Sequence, residues 1–329
     1  MTNSTETRGE GARAIHRHHL PQLDGQTMVT DGGIETVLVF HEGIDLPEFA
    51  AFDLLATDEG TSRLRHYYET YTSLAEAHGV GLVLESPTWR ANPDWARAIG
   101  YTLEELADLN RRAIELMTEV RTETGPGVSP IVISGCIGPQ GDGYDPATRM
   151  SAEDAETYHS FQVGVFAGTA ADMVCAITMT YADEAIGVTR AARAHGMPVA
   201  ISFTLETDGR LPSGEPLSDA IERVDEETDG GPDYYMINCA HPDHIEKALA
   251  QPGPWVDRIL GLRANASRKS HAELDESTEL DEGDPVELGA QYRTLADRLT
   301  SLTVLGGCCG TDHRHIDEIC AAWTREAKE

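Results

Sequence analysis

The chain has 329 residues, 40% of them hydrophobic, which is long enough for one large α/β barrel or for two smaller domains. Its 56 acidic and 25 basic residues give a net charge of −31, which disfavours binding to nucleic acids and to anionic membranes and is typical of a protein adapted to a salty cytoplasm. The sequence shows no apolar run long enough for a membrane helix and no apolar signal core, so we expect a cytoplasmic protein with a disordered tail over residues 1–22.

Eight short runs rich in Val, Ile and Leu recur along the chain, and each is followed by a helical pattern. Near-continuous apolar runs are typical of parallel strands that are covered on both faces. The predicted strands span residues 28–33, 81–86, 130–138, 172–178, 198–204, 234–240, 258–264 and 302–309.

The segments between these strands carry helix signals, such as the capping box of Thr102 and Glu105 and the terminating Gly196. The predicted helices span residues 59–79, 102–125, 151–171, 183–196, 216–228, 242–250, 286–299 and 312–327. Eight strand–helix pairs predict a (β/α)8 barrel, formed by a single domain over residues 23–329. A doubly wound open sheet is the alternative, although no G-x-G-x-x-G motif follows the first strand.

Two connections are unusually long, at residues 34–60 and 265–285. Both follow predicted strands, so both are expected at the C-terminal face of the barrel, where barrel active sites lie. The second connection is either a lid over the site or a solvated acidic flap.

The six cysteines divide into two groups. Because a reducing cytoplasm is expected, disulfide bonds are not. Cys308 and Cys309 end the eighth predicted strand within a Gly-Gly-Cys-Cys-Gly run, and Cys239 ends the sixth, so the three thiols are expected to converge at one rim of the barrel. The remaining cysteines are predicted to be buried side chains: Cys136, Cys175 and Cys320.

Three sulfur ligands suit Zn²⁺ and leave a fourth coordination position open, as in catalytic zinc sites. A zinc ion of this kind binds a small thiol and holds it as a thiolate, which predicts alkyl transfer to sulfur. Histidines are alternative ligands. His241 lies two residues after Cys239, whereas His313 and His315 fall on the last predicted helix and are expected to cap or decorate it.

Over residues 28–325 the chain resembles the homocysteine S-methyltransferase family, which includes betaine– and S-methylmethionine–homocysteine methyltransferases. The resemblance rests on TDGG at residues 30–33, NCAHP at 238–242 and GGCCGT at 306–311. It implies a (β/α)8 barrel that transfers a methyl group from a sulfonium or quaternary ammonium donor to homocysteine, giving methionine. It also implies a set of zinc ligands, which would be Cys239, Cys308 and Cys309.

The same resemblance implies the substrate contacts. Asp31 and the backbone at Gly32 and Gly33 would contact the amino-acid end of homocysteine. Asn238, beside a zinc ligand, would support the metal or the substrate. Thr88 matches a threonine that family members carry at the end of strand two.

The chain departs from the family at the end of strand four, where Ile177 stands in place of a glutamate that holds the substrate ammonium group. An apolar side chain cannot pair with a buried ammonium group. Glu85, at the end of predicted strand two, is expected to replace that glutamate, with Glu206 as the second choice. Otherwise the acceptor is a thiol or selenol that lacks the amine.

A cationic donor favours an aromatic cage, for which Phe40, Trp89 and Tyr181 are the candidates. The single barrel leaves no room for a cobalamin or folate module. The alternatives are a zinc hydrolase or lyase with His241 or Asp31 as the base, and a non-catalytic zinc sensor or storage protein. The expected partners are the small thiol and the methyl donor, and a homo-oligomer is compatible with the sequence.

Overall fold

The computed structural model describes residues 13–144, 148–275, 277 and 279–324. Eight parallel strands close into a barrel in chain order, with the first strand paired to both the second and the eighth. The strands are β1 (Met28–Val29), β2 (Gly81–Glu85), β3 (Ile131–Ile137), β4 (Met173–Met179), β5 (Val199–Thr204), β6 (Tyr234–Asn238), β7 (Ile259–Ala264) and β8 (Val304–Gly307). The predicted barrel is confirmed, and the open-sheet alternative is wrong.

Helices follow the strands and cover the outside of the barrel. They are α1 (Asp58–His78), α2 (Pro93–Ile99), α3 (Leu103–Thr124), α4 (Ala152–Ala167), α5 (Ala182–Ala194), α6 (Leu217–Thr228), α7 (Pro242–Ala248), α8 (His271–Asp275), α9 (Pro285–Ala296) and α10 (His313–Thr324). The predicted capping box at the start of α3 is present. Two short helices, α2 and α8, were not predicted, and α8 lies inside the long connection at residues 265–285.

The inside of the barrel changes character along its axis. Because side chains two residues apart on a strand share a face, each strand contributes successive layers to the interior. The lower layer is apolar and includes Val83, Val132 and Met236. Two residues further along β2, β3 and β6, the inward positions become polar and remain buried: Glu85, Ser134 and Asn238. The sequence therefore builds an apolar floor and a polar mouth.

Residues 13–22, the described part of the predicted tail, pack against the barrel. The Arg17 guanidinium donates hydrogen bonds to three backbone carbonyls between α4 and β4, at 2.6–3.0 Å. The buried carboxylate of Asp172 accepts hydrogen bonds from two backbone N–H groups of the tail, and Leu20 joins the apolar floor. These partners lie about 150 positions away in sequence, so the composition of the tail alone does not reveal them. Residues 1–12 lie outside the described part of the chain.

Among the described residues, no helix is both long and apolar enough to span a membrane.

Candidate metal centre and substrate cavity

Three cysteine side chains converge at the C-terminal end of the barrel. Cys239 follows β6, while Cys308 and Cys309 follow β8. Their sulfur atoms all lie within 4.8 Å of one another, and those of Cys239 and Cys309 are 3.8 Å apart. This group can hold a metal ion.

The sulfur atoms of Cys239 and Cys308 are in direct contact, and their Cα atoms are 5.4 Å apart, close enough for a disulfide bond to form. Closure of the barrel brings these two thiols together although they are 69 residues apart in sequence, so oxidation can join them by a disulfide bond. Two-electron reduction of the bond gives one thiol at each residue. Only then can both sulfur atoms serve as thiolate ligands.

An unusual backbone turn presents Cys239 to the mouth of the barrel. Its φ angle of 52° lies in the left-handed region, which is uncommon for a residue other than glycine. Its N–H group donates to the carbonyl of Arg263 at 3.1 Å, and its carbonyl accepts a hydrogen bond from His271 Nε2 at 2.7 Å. On β8, a Cβ atom at Gly306 would overlap the Thr30 hydroxyl. Glycine there allows the close approach of β8 to β1 that positions the paired cysteines.

Asn238 lies beside the cysteine cluster, and hydrogen bonds fix the orientation of its side-chain amide. Its Oδ1 atom accepts hydrogen bonds from the backbone N–H of Thr178 at 2.9 Å and from the Ser202 hydroxyl at 2.7 Å. Its Nδ2 atom donates to the Thr178 hydroxyl at 3.0 Å and lies 3.9 Å from the Cys308 sulfur. The amide is therefore fixed with its N–H side turned towards a sulfur atom.

Tyr144 and His271 also reach the cluster, although the sequence analysis did not single them out. The Tyr144 hydroxyl lies 3.4 Å from the Cys239 sulfur and 3.6 Å from the Cys309 sulfur, and its ring lies 4.3 Å from the His271 ring. The Nδ1 atom of His271 is 3.0 Å from the carboxylate of Glu206, which was the second choice for an ammonium contact. Both rings stand in connections that follow strands, and that position is the signal that could have revealed them.

Asp31 lies in a buried ion pair. One carboxylate oxygen is 2.6 Å from Arg263 Nη2, and the other accepts a hydrogen bond from the Tyr67 hydroxyl at 2.9 Å. Burial raises the pKa of Asp31, while Arg263 acts in the opposite direction. The sequence analysis missed Arg263, although an arginine within an apolar strand signals a buried cation that needs a partner.

The two glycines after Asp31 pack against the cysteine loop. The Gly33 N–H group donates to the Thr311 carbonyl at 3.0 Å, and the Gly32 carbonyl accepts from Arg263 at 3.2 Å. A Cβ atom at Gly33 would come within 2.6 Å of the Cys308 carbonyl oxygen. The glycines are thus needed for close packing of the chain, and the N–H group of Gly33 already has a partner.

A cavity of about 580 Å³ opens above the polar layer and contains the cysteine cluster. Residues from both long connections, 34–60 and 265–285, line it, as expected from their position after strands. Its lining includes seven acidic residues against two arginines. The acidic residues are Asp31, Glu35, Glu48, Glu85, Asp142, Glu279 and Asp281, and the arginines are Arg90 and Arg263.

The candidate ammonium-binding residues differ in their placement. Glu85 is buried and lines the cavity, as does the partly buried Ile177. Burial raises the pKa of Glu85 to about 7, with Arg263 lowering it. The Thr88 hydroxyl instead donates to the Cys136 carbonyl at 2.7 Å, which turns it into the barrel wall.

The three candidate donor-site residues do not come together. Phe40 and Trp89 line the cavity, and Phe40 is 48% exposed. The guanidinium carbon of Arg90 lies 4.9 Å from the centroid of the Trp89 ring, so a cation of the chain already stands over this ring. Tyr181 is buried, and its hydroxyl accepts a hydrogen bond from the Met150 N–H group at 3.0 Å.

The candidate histidine ligands have other roles. His241 precedes α7, and its Nδ1 atom accepts a hydrogen bond from the Asp243 N–H group at 3.1 Å. Burial lowers the pKa of His241 to about 4. His313 is the first residue of α10, and the Nε2 atom of His315 donates to the Glu282 carbonyl at 2.8 Å. Both lie on the last helix, as expected.

Comparison with known proteins identifies similar sequences. The model of the homocysteine S-methyltransferase family matches residues 28–323. Methionine synthase from Mycobacterium tuberculosis is 26% identical over 239 residues, which make up 67% of this chain. The matched region covers 18% of that much longer protein.

Among solved structures, the homocysteine methyltransferase MmuM from Escherichia coli shares the fold. Its metallated form gives a TM-score of 0.70 at 19% identity, with 92% of this chain and 98% of that chain covered. Its oxidised form gives a TM-score of 0.71 at the same identity, with 91% and 97% covered.

Proposed function

Because this chain belongs to the homocysteine S-methyltransferase family, we propose that it transfers a methyl group from a small cationic donor to homocysteine, with Zn²⁺ bound by Cys239, Cys308 and Cys309. Membership of this family makes the chain an S-methyltransferase. The observation that carries the proposal is the group of three cysteine sulfur atoms within a cavity large enough for small substrates. The products would be methionine and the demethylated donor.

The donor set of the cysteine cluster fits zinc. Thiolates are preferred zinc ligands, and three protein ligands are the usual number in catalytic zinc sites. Zinc bound there would lower the pKa of a coordinated substrate thiol, which makes the acceptor a thiolate at neutral pH. The active form of the protein is therefore the one in which Cys239 and Cys308 are reduced. The cytoplasmic location predicted from the sequence would maintain that form.

The residues around the cluster stabilise negative charge on sulfur. The Asn238 amide is held by Thr178 and Ser202 with Nδ2 turned towards the Cys308 sulfur. The Tyr144 hydroxyl lies close to the sulfur atoms of Cys239 and Cys309. Polar hydrogens directed at thiolates lower their basicity and orient them.

The transfer itself requires no lasting general base. A bond forms between the acceptor sulfur and the donor methyl carbon, while the bond from that carbon to the positively charged sulfur or nitrogen of the donor breaks. The donor leaves as a neutral thioether or amine. The cavity, enclosed by two long connections, holds both substrates for this in-line displacement.

The charge of the cavity supports a cationic donor. Seven acidic residues and two arginines line it, so the local field attracts a sulfonium or quaternary ammonium compound. Glu35 lines the cavity near Arg90, and burial raises the pKa of Glu35 to about 7. We infer that these carboxylates and Phe40 recognise the donor. The Trp89 ring already has the Arg90 guanidinium over its face, so it is not available to a cationic donor.

A zinc hydrolase or lyase would need His241 or Asp31 as a base. The His241 ring is buried at the start of α7, and both carboxylate oxygens of Asp31 are engaged by Arg263 and Tyr67. Neither group is available to activate water, so the geometry favours methyl transfer.

A donor screen tests the proposed function. Reduced, zinc-replete protein is incubated with homocysteine and with S-methylmethionine, S-adenosylmethionine or betaine in turn, and methionine is quantified by mass spectrometry. We expect methionine from at least one donor and none from protein stripped of metal. Failure of all three donors with zinc-replete protein would contradict the proposal.

A further inference from the structure

Glu85 carries a buried oxygen atom that lacks a partner. It is the last residue of β2 and points inward, one layer above Val83 of the apolar floor. Its side chain is 5% exposed, the Ser134 and Cys136 side chains lie beside its carboxyl group, and its Oε2 atom has no hydrogen-bond partner among the described residues. A buried carboxylate oxygen without a donor is costly, so its retention in a cavity wall points to a ligand group that completes it.

Arg263, the cation that acts on the Glu85 carboxyl, is already engaged. The Arg263 guanidinium pairs with Asp31 and also donates to the Gly307 carbonyl at 3.0 Å and the Gly32 carbonyl at 3.2 Å. Asp31 and Arg263 therefore compensate each other. Among the described residues, Glu85 is the buried carboxylate that has an unpartnered oxygen, and a positively charged donor would complete it.

We propose that Glu85 binds the ammonium group of the acceptor amino acid and thereby selects α-amino thiols. The inference rests on the proposed function and specifies how its acceptor is recognised. Glu85 lines the same cavity as the cysteine cluster, so one ligand can present an amine to Glu85 and a thiol to the cluster. Ile177, at the position where the family resemblance places a glutamate, contributes an apolar wall to that cavity.

The electrostatics of Glu85 suit reversible binding of an amine. Burial is the largest influence on the pKa of this carboxyl and raises it, Arg263 lowers it, Asp31 raises it, and Ser134 and Cys136 lower it, so that it lies at about 7. An ammonium group beside the carboxylate favours its ionised form and lowers its pKa again. The bound amine thus offsets the desolvation of Glu85, whereas an acceptor without an amine leaves the carboxylate unpaired.

The test compares homocysteine with 4-mercaptobutyrate, which has the same thiol, chain and carboxylate but no amine. The substitution Glu85→Gln keeps the shape of the side chain and removes its charge. We expect it to lower kcat/KM for homocysteine by about 10- to 100-fold, as loss of a charge-assisted hydrogen bond does, and to leave the value for 4-mercaptobutyrate within about twofold. Glu115→Gln, the same change on the exposed face of α3, should leave both values unchanged.

Equal effects of Glu85→Gln on the two thiols, or no effect on either, would overturn the proposal. Glu85→Asp should recover part of the selectivity, and thermal denaturation confirms that each variant is folded. Calorimetric binding of both thiols to the zinc-replete protein provides a readout that is independent of turnover. If the wild-type protein forms no methionine, the proposed function fails, and a binding preference for homocysteine that disappears in Glu85→Gln still supports the role of Glu85.

Discussion

The two ends of the barrel interior differ in polarity. At the N-terminal end, apolar side chains and the ordered tail fill the barrel, and Leu20 closes it. At the C-terminal end, the same strands present carboxylates, amides, thiols and an arginine around a cavity. A shift of only two residues along a strand separates the two environments, as Val83 and Glu85 show on β2. Substitutions at the floor should therefore change stability, and those at the mouth should change chemistry.

The largest difference is expected between two cysteines. Cys239→Ala at the mouth removes one of three metal ligands. Loss of residues that merely support a ligand costs about 10- to 100-fold, so methyl transfer should fall by more than about 100-fold, with loss of bound zinc measured by mass spectrometry. Cys175→Ala at the floor is the matched control, because this buried thiol should affect zinc content and activity little. Equal zinc content in the two variants would contradict the assignment of Cys239, rather than Cys175, as a zinc ligand.

A second contrast lies along β4. Met173 is fully buried in the floor, whereas Ile177 is partly buried and lines the cavity. Met173→Ala should lower the free energy of unfolding by about 2–5 kcal/mol through loss of apolar contacts and the cavity left behind. Ile177→Ala should lower it much less and should change KM for the acceptor. Urea denaturation measures stability, and steady-state kinetics measure KM. Similar losses of unfolding free energy in the two variants would argue against a ligand-binding role for Ile177.

The carboxylate at the mouth should make stability depend on pH. The pKa of Glu85 rises from 4.5 to about 7 in the folded protein, where Arg263 on β7, Asp31 after β1 and Cys136 on β3 face it. The folded state therefore holds this proton more tightly than the unfolded state does, and ionisation of Glu85 lowers stability as pH rises from about 5 to about 7. Glu85→Gln removes this loss, so without substrate the variant should be more stable than the wild type at pH 8 by up to about 3 kcal/mol.

At pH 5 the two proteins should differ little in their free energies of unfolding. A constant difference across this pH range would show that Glu85 titrates normally. The comparison isolates Glu85 because Glu35, whose pKa also lies near 7, is present in both proteins.

The barrel was predictable because its signals are local. Runs of Val, Ile and Leu, the capping box at Thr102 and the adjacent Cys308 and Cys309 can all be read within short windows of sequence. The convergence of Cys239 with that pair followed from a general rule, namely that strand ends meet at one rim of a barrel.

The pairings that complete the site were not predictable, because they join distant positions. Asp31 and Arg263 are 232 residues apart, and neither motif nor spacing connects them. Tyr144 reaches the cysteines across the barrel mouth from the connection after β3. Thr88 and Tyr181 were expected near substrates because of their sequence positions, yet backbone groups bind their hydroxyls. Position after a strand predicts which end of the barrel a residue occupies, but not where its side chain points.

The smallest effect is expected from substitutions in the N-terminal tail. They test whether the tail contributes to the stability of the N-terminal end of the barrel. Arg17 is only partly buried, but its guanidinium donates hydrogen bonds to three backbone carbonyls between α4 and β4. Arg17→Ala should therefore lower the free energy of unfolding by about 1–2 kcal/mol, since several carbonyls would exchange a charged donor for water. Arg13→Ala, at an exposed position of the same tail, is the control and should have no measurable effect on stability. Methyl transfer should be unchanged in both variants, because the tail and the cysteine cluster lie at opposite ends of the barrel. Equal free energies of unfolding for the two variants would show that the hydrogen bonds of Arg17 do not contribute to stability.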